Sequence, residues 1–127
     1  MAVTHYQDLI AWQKAMDLVE AVYRITRQFP RDELYGLTNQ VRRAAVSVPS
    51  NIAEGQGRGV GAEFAHQLRI ANGSRQEVET QILIAQRLHY ITSEEAGPVL
   101  GAAAEVGRLI AGLHRSVTGN SQLATGN

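Results

Sequence analysis

The fold is decided by the stretch Leu37-Thr-Asn-Gln-Val-Arg-Arg-Ala-Ala-Val-Ser-Val-Pro-Ser-Asn-Ile-Ala-Glu54, in which apolar residues recur with the period of an α-helix. These residues share one face: Leu37, Val41, Ala44, Val48 and Ile52. We predict a helix from about Leu34 to Glu54. Pro49 lacks a backbone N–H and predicts a kink or a break inside this helix. The run of alternating glycines from Gly55 to Gly61 ends it.

The helix before this stretch is predicted to begin at the N-cap Asp8 and to end at Phe29-Pro30, because the residue before a proline is driven out of the α region. One of its two apolar stripes is Leu9, Trp12, Met16, Val19, Tyr23 and Thr26. The other is Ala11, Ala15, Leu18, Val22, Ile25 and Phe29. Together they cover about half of the circumference, more than an ordinary surface helix shows. One stripe faces the bundle, and the other requires a second partner, either more of the same chain or another subunit.

The third helix is predicted from Ala62 to about Ile91, with Arg75 at one position of its apolar register. Gly73 lies in its middle, where glycine costs about 1 kcal/mol relative to alanine. A small residue at such a position predicts the close approach of a neighbouring helix.

The fourth helix is predicted to begin at the cap Ser93. Its apolar stripe is regular: Val99, Ala103, Val106, Ile110, Leu113 and Val117. Four long amphipathic helices with short connections predict an all-α fold, a single antiparallel up-down-up-down four-helix bundle. We expect this bundle to be oligomeric, because the second apolar stripe of the first helix implies burial between subunits. Residues 1–118 form this domain, and residues 119–127 form a polar C-terminal tail.

The composition excludes several functional classes. Twelve Lys and Arg balance twelve Asp and Glu, so a strongly basic nucleic-acid binder is excluded but a local basic patch is not. The absence of cysteine excludes disulfides and thiol chemistry. The N-terminus does not resemble a secretory signal, and no long uninterrupted apolar run predicts a transmembrane helix. We therefore expect a cytoplasmic protein without a membrane partner.

A stripe of polar residues runs beside the apolar face of the second helix: Gln40, Arg43, Ser47, Asn51 and Glu54. One interpretation is a buried polar network in which Arg43 pairs with Glu54 or Glu77, since half-paired buried polar groups are costly. The other interpretation is a recognition face for a partner or for RNA phosphate. The residues alone leave both open.

The second helix is also the locally basic one, because Arg42 and Arg43 lie in a run without acidic residues from Leu34 to Ala53 and Arg58 follows just beyond. Repeated around an oligomer, even two arginines per chain would produce a strong positive field. These three arginines are the candidate residues for binding nucleic acid or a protein partner.

An alternative function would use carboxylates. Glu63-Phe-Ala-His66 has the Glu-x-x-His spacing of di-iron bundles, and Glu54 and Glu77 would supply further ligands for a carboxylate-bridged metal protein or enzyme. Such bundles need two of these motifs and this chain has one, so we expect no metal, no cofactor and no catalytic residue. The glycine-rich segment follows a helix and lacks a Gly-Lys-Ser/Thr ending, which favours a turn over a phosphate-binding loop.

Six blocks carry a resemblance to a known family: Tyr6-Gln-Asp-Leu-Ile-Ala-Trp-Gln-Lys-Ala15, Phe29-Pro30, Tyr35-Gly-Leu-Thr-Asn-Gln-Val-Arg-Arg-Ala-Ala-Val-Ser47, Val48-Pro-Ser-Asn-Ile-Ala-Glu-Gly55, Ile70-Ala-Asn-Gly-Ser74 and Glu77-x-Glu79. They look like the four-helix-bundle proteins encoded within 23S ribosomal RNA intervening sequences. The accessory protein of diversity-generating retroelements is similar to this group. The resemblance spans about Tyr6 to Ile91, and the block from Asn51 to Gly55 is highly specific.

The resemblance implies an antiparallel bundle that assembles as a homopentamer and has no known enzymatic activity. For the retroelement relatives it also implies binding to a reverse transcriptase and to nucleic acid. We therefore expect a non-enzymatic oligomeric scaffold whose partners are its own copies and RNA, DNA or a reverse-transcriptase-like protein.

Overall fold

Four α-helices form the computed structural model of the chain, which describes residues 5–59 and 61–124. They are α1 (Ile10–Ile25), α2 (Leu37–Gly57), α3 (Ala62–Arg87) and α4 (Ser93–Ala124), and no strand occurs within the described ranges. Helices α1 and α3 each pack against both α2 and α4. Because the connections are short, successive helices run antiparallel. The predicted four-helix bundle is confirmed.

The two stripes of α1 differ in burial. Every residue of the second stripe is buried in the core: Ala11, Ala15, Leu18, Val22, Ile25 and Phe29. In the first stripe Leu9 and Thr26 are buried at the ends, but Met16 is 39% exposed and Tyr23 is 40% exposed between them. One stripe therefore faces the bundle, as predicted, and the other is only partly covered by its own chain.

The N-cap of α1 is not the predicted residue, and the end of the helix agrees with the prediction in part. Asp8 lies in the 3-10 turn Tyr6–Asp8, and the N-cap is Leu9, whose side chain makes no capping bond. The expected Asp8 cap is therefore wrong. At the other end the chain leaves helical structure before Pro30, as predicted, but the α-helix itself ends at Ile25. The 3-10 turn Thr26–Gln28 follows and leads to Phe29, which is extended with ψ of 149°.

Helix α2 begins later and runs further than its pattern suggests. The segment Arg31–Glu33 is a 3-10 turn, and Glu33 Oε1 accepts the N–H of Leu37 at 3.0 Å, which fixes the start of α2 at Leu37. Pro49 is buried inside a helix that continues to Gly57, so the alternative of a break at Pro49 is wrong. Packing of the helix against both neighbours outweighs the missing N–H.

Both ends of the connection between α3 and α4 are fixed by local hydrogen bonds. His89 has φ of 65°, and the N–H of Tyr90 donates to the carbonyl of Ala85 at 2.9 Å, which is the Schellman arrangement at the end of α3. Thr92 Oγ1 accepts the N–H of Glu95 at 3.1 Å, while Glu95 Oε1 accepts the N–H of Thr92 at 2.8 Å. This reciprocal capping box places the cap of α4 at Thr92, one residue before the predicted Ser93.

Helix α4 is long and apolar enough, by length and composition alone, to cross a membrane, and 28% of its most apolar window is buried in the bundle. Glycine and alanine keep the helix apolar between its charged residues, although no long uninterrupted apolar run occurs in it. In the bundle its buried residues complete the core: Ala96, Val99, Ala103, Val106, Ile110 and Val117. The backbone is helical to Ala124, so α4 extends into the segment 119–127 that is predicted as a polar tail.

The glycine that allows close helix packing is not the predicted one. A Cβ at Gly73 would have no neighbouring atom within 4 Å, so no helix of the same chain approaches it closely. A Cβ at Gly55 would lie 2.8 Å from Cβ of Gln67 and 2.9 Å from Cδ1 of Phe64. The close contact therefore lies at the crossing of α2 and α3.

We expect Gly55→Ala to destabilise the bundle by about 1–3 kcal/mol, because the added methyl group must displace Phe64 or separate α2 from α3. Gly73→Ala is the matched control and should stabilise by about 1 kcal/mol, because only helix propensity changes. Denaturant unfolding of both variants measures the difference. Equal free energies of unfolding would contradict the close contact at Gly55.

Candidate functional site

The polar stripe of α2 forms a small hydrogen-bonded cluster with α3. The hydroxyl groups of Ser47 and Ser74 lie 2.9 Å apart. Asn51 Nδ2 donates to both the carbonyl and the hydroxyl oxygen of Ser47, each at 2.8 Å. All three side chains are half-buried. This cluster joins α2 to α3 and uses Ser74, a residue that the stripe itself does not reveal because it lies on another helix.

The remaining members of the stripe face solvent. Gln40, Arg43 and Glu54 are exposed, and Glu54 Oε1 accepts from Arg58 Nη2 at 2.9 Å. Glu77 instead accepts from Gln81 Nε2 at 3.2 Å.

The predicted ion pair of Arg43 with Glu54 or Glu77 is therefore wrong within one chain. The salt bridges among residues 5–59 and 61–119 are Arg58–Glu54 and Arg75–Glu79. An exposed guanidinium remains hydrated, so Arg43 has no desolvation cost that an ion pair must offset.

A buried amide lies further along α3. Gln81 is 7% exposed, and while its Nε2 donates to Glu77, its Oε1 is buried without a hydrogen-bond partner among the described residues. Glutamine in the middle of an amphipathic helix gives no sequence signal that separates a buried position from an exposed one.

The three candidate arginines occupy different environments. Arg42 Nε donates to Thr26 Oγ1 at 2.8 Å, and its guanidinium carbon lies 4.7 Å from the centroid of the Tyr23 ring. Arg42 therefore ties α2 to the end of α1 through a hydrogen bond and a cation–π contact. Arg43 is exposed, and Arg58 is exposed but ion-paired to Glu54. Sixteen residues of helix place Arg58 about 24 Å from Arg42, so one chain does not bring the three together.

The alternative metal ligands do not converge either. Glu63 and His66 line a shallow hollow of about 240 Å³ beside Arg58 at the turn between α2 and α3. Glu77 lies eleven residues after His66 on α3, about 16 Å along the helix. Within the described residues, no group of three or more His, Asp or Glu side chains is placed to hold a metal ion.

An apolar groove runs between α1 and α2 and has a volume of about 340 Å³. Trp12, Met16 and Val19 line it from α1, while α2 contributes Val46 and Pro49. Val46 is 41% exposed and Met16 39%. The groove is thus an open apolar surface formed by the partly covered stripe of α1. We refer to it as the α1–α2 groove.

A carboxylate links the two connections at one end of the bundle. Glu33 accepts the N–H of Leu37 through Oε1 and the hydroxyl of Tyr90 through Oε2 at 2.7 Å. The backbone N–H of Leu37 and then the Tyr90 hydroxyl lower the pKa of Glu33, and Glu33 in turn raises the pKa of Tyr90. Folding lowers the pKa of Glu33. The ionised Glu33 carboxylate therefore stabilises the folded state fully at any pH above the pKa of a glutamate in the unfolded chain.

We expect the free energy of unfolding to fall as the pH drops below about 4.3, the ordinary glutamate pKa, and through the lower pKa of folded Glu33. Glu33→Gln should be less stable than the wild type at neutral pH and should lose less stability on acidification. Chemical unfolding of both proteins across this pH range tests it, with Glu20→Gln as an exposed control. Parallel pH profiles for wild type and Glu33→Gln would contradict the role of this carboxylate.

The geometry defines a class of protein: a small antiparallel four-helix bundle with an open apolar groove between α1 and α2. The sequence model of the family "23S rRNA-intervening sequence protein" matches residues 7–112, and the chain belongs to this family. No curated protein matches the chain.

A solved structure from Bacteroides thetaiotaomicron VPI-5482, described as a protein with unknown function from the S23 ribosomal protein family, has a similar fold. The two chains share 20% sequence identity with a TM-score of 0.74, and the match covers 84% of this chain and 99% of that one. At this identity the similarity establishes the fold alone.

Proposed function

We propose that this protein is a non-enzymatic scaffold that assembles as a homo-oligomer and presents a repeated surface to a partner. The observation that carries the proposal is the open α1–α2 groove, in which Met16 and Val46 expose apolar side chains to water. Burying such a surface gains about 25 cal/mol for each Å² removed from water. A second copy of the chain is the occupant that we assign to the groove.

A further feature supports assembly. Helix α4 is rich in apolar residues, although only 28% of its most apolar window is buried within one chain. Contiguous apolar surface on a soluble protein is typical of an interface. The number of subunits that we propose is five, which is the number implied by the family resemblance.

We expect light scattering or sedimentation to return a mass of about 69 kDa, five times the 13.8 kDa of one chain. Met16→Glu should reduce this mass, because it would bury a carboxylate without a partner in the interface. Ile10→Glu is the matched control: Ile10 is 59% exposed on the same helix but does not line the groove. A mass of 13.8 kDa for the wild type, or equal masses for both variants, would overturn the proposal.

The partner that we propose for the assembled scaffold is a nucleic acid or a protein that processes one. Exposed Arg43 is the residue that supports this part of the proposal, because it has no ion pair among the described side chains and would repeat around the oligomer. Arg58 would contribute to the same binding surface, because its exposed ion pair with Glu54 is weak and a phosphate can replace the carboxylate. Arg42 is held by Tyr23 and Thr26 and serves the fold.

If the scaffold binds single-stranded RNA, affinity should fall steeply with salt, and each phosphate contact that is lost should reduce the log–log slope by about 0.7. Arg43→Gln/Arg58→Gln should weaken binding and flatten this slope, with little dependence on sequence. Arg24→Gln/Arg87→Gln removes the same charge from exposed positions on α1 and α3 and is the control. Equal slopes for the two double variants would contradict binding through this face of α2.

A further inference from the structure

A second groove, of about 680 Å³, lies between α3 and α4 on the opposite side of the bundle from the α1–α2 groove. We refer to it as the α3–α4 groove. Its floor is apolar, formed by Leu68, Ile110 and Ala111, and it is open because Gly73 and Gly107 have no side chains. Its volume is within the range of small-molecule sites.

The two walls of this groove carry cations. Arg69 of α3 and Arg115 of α4 line it together with His114, and no Asp or Glu is among the lining residues. Neither arginine takes part in a salt bridge among the described side chains. Arg69 Nη1 lies 3.5 Å from Nε2 of His114, a group that carries no negative charge.

A third arginine that lines the groove is held by polar partners of its own helix. Arg75 is 12% exposed, its Nε donates to Asn72 Oδ1 at 2.8 Å, and its Nη1 pairs with Glu79 Oε2 at 2.8 Å. Its guanidinium lies against Gly107, where a Cβ would come within 2.7 Å of Cζ. Arg75 is therefore positioned and neutralised, which leaves Arg69 and Arg115 as the charges available to a ligand.

We infer that the α3–α4 groove binds a small phosphate-bearing molecule of about mononucleotide size. Its phosphate group lies between Arg69 and Arg115, and its less polar part lies on the apolar floor. Guanidinium groups pair with phosphate and carboxylate in a bidentate manner. A terminal phosphate offers three oxygens, enough for two guanidinium groups and an imidazole, whereas a carboxylate offers two. This inference uses a different face of the bundle from the proposed scaffold function and does not depend on it.

The test is a calorimetric titration of the full chain with adenosine monophosphate and with inorganic phosphate at constant ionic strength. We expect saturable binding of the nucleotide and weaker binding of inorganic phosphate, which cannot contact the floor. Arg69→Gln/Arg115→Gln should weaken nucleotide binding at least about ten-fold, since each guanidinium provides a charge-assisted hydrogen bond. Arg24→Gln/Arg87→Gln removes the same net charge elsewhere and should bind as the wild type does.

A second variant fills the groove without threatening the fold. Gly73 is helical and a Cβ there meets nothing within 4 Å, so Gly73→Leu places a side chain in the groove and improves helix propensity. We expect this variant to melt at a higher temperature than the wild type and to lose nucleotide binding. Undiminished binding by the stabilised variant would overturn the inference.

Other outcomes would overturn it as well. Absence of saturable binding to either small probe, or an equal loss in both double variants, would leave only non-specific attraction of anions. Equal affinity for adenosine monophosphate and for inorganic phosphate would show that the apolar floor contributes nothing to binding. A single-stranded oligoribonucleotide is the third probe: if it alone binds, and binds through Arg69 and Arg115, the phosphate belongs to a polymer and the small-ligand inference is wrong.

Discussion

Helix α1 carries more apolar surface than a four-helix bundle covers, and the rest of the structure depends on how this surface is divided. The stripe from Ala11 to Phe29 is removed from water by the core, so it fixes the rotation of α1 against α2 and α4. The stripe that contains Met16 and Tyr23 is then directed to the edge of the bundle. The α1–α2 groove is therefore a consequence of core packing: no rotation of α1 buries both stripes in one chain.

Helix α2 carries different kinds of side chain on the flank that faces α1 and on the flank that faces α3. Toward α1 it offers the apolar residues of the groove and Arg42, which contacts Tyr23 and Thr26. Toward α3 it offers small and polar groups, with Gly55 at the closest contact and Ser47 beside Ser74. The polar stripe is thus divided between helix packing and solvent, which explains why it does not form one continuous network.

The sequence predicts the fold well because apolar periodicity depends on local spacing, and the buried stripes of α1 and α2 follow it closely. It predicts side-chain partners poorly, because these depend on the rotation and register of two helices. Arg42 and Arg43 are neighbours in sequence, yet they point about 100° apart, and only Arg42 reaches α1. The sequence does not reveal the α3–α4 groove for the same reason: Arg69 and Arg115 are far apart in the chain and line one groove only in the folded bundle.

The single tryptophan of the chain, Trp12, lies in the α1–α2 groove and is partly buried there within one chain. The most direct test of the central claim is therefore acrylamide quenching of its fluorescence across a wide range of protein concentration. If a second copy covers the groove, the indole is protected at high concentration, and protection is lost when the assembly dissociates on dilution or through Met16→Glu. Quenching typical of a partly exposed indole at every concentration, unchanged by Met16→Glu, would contradict assembly through this groove.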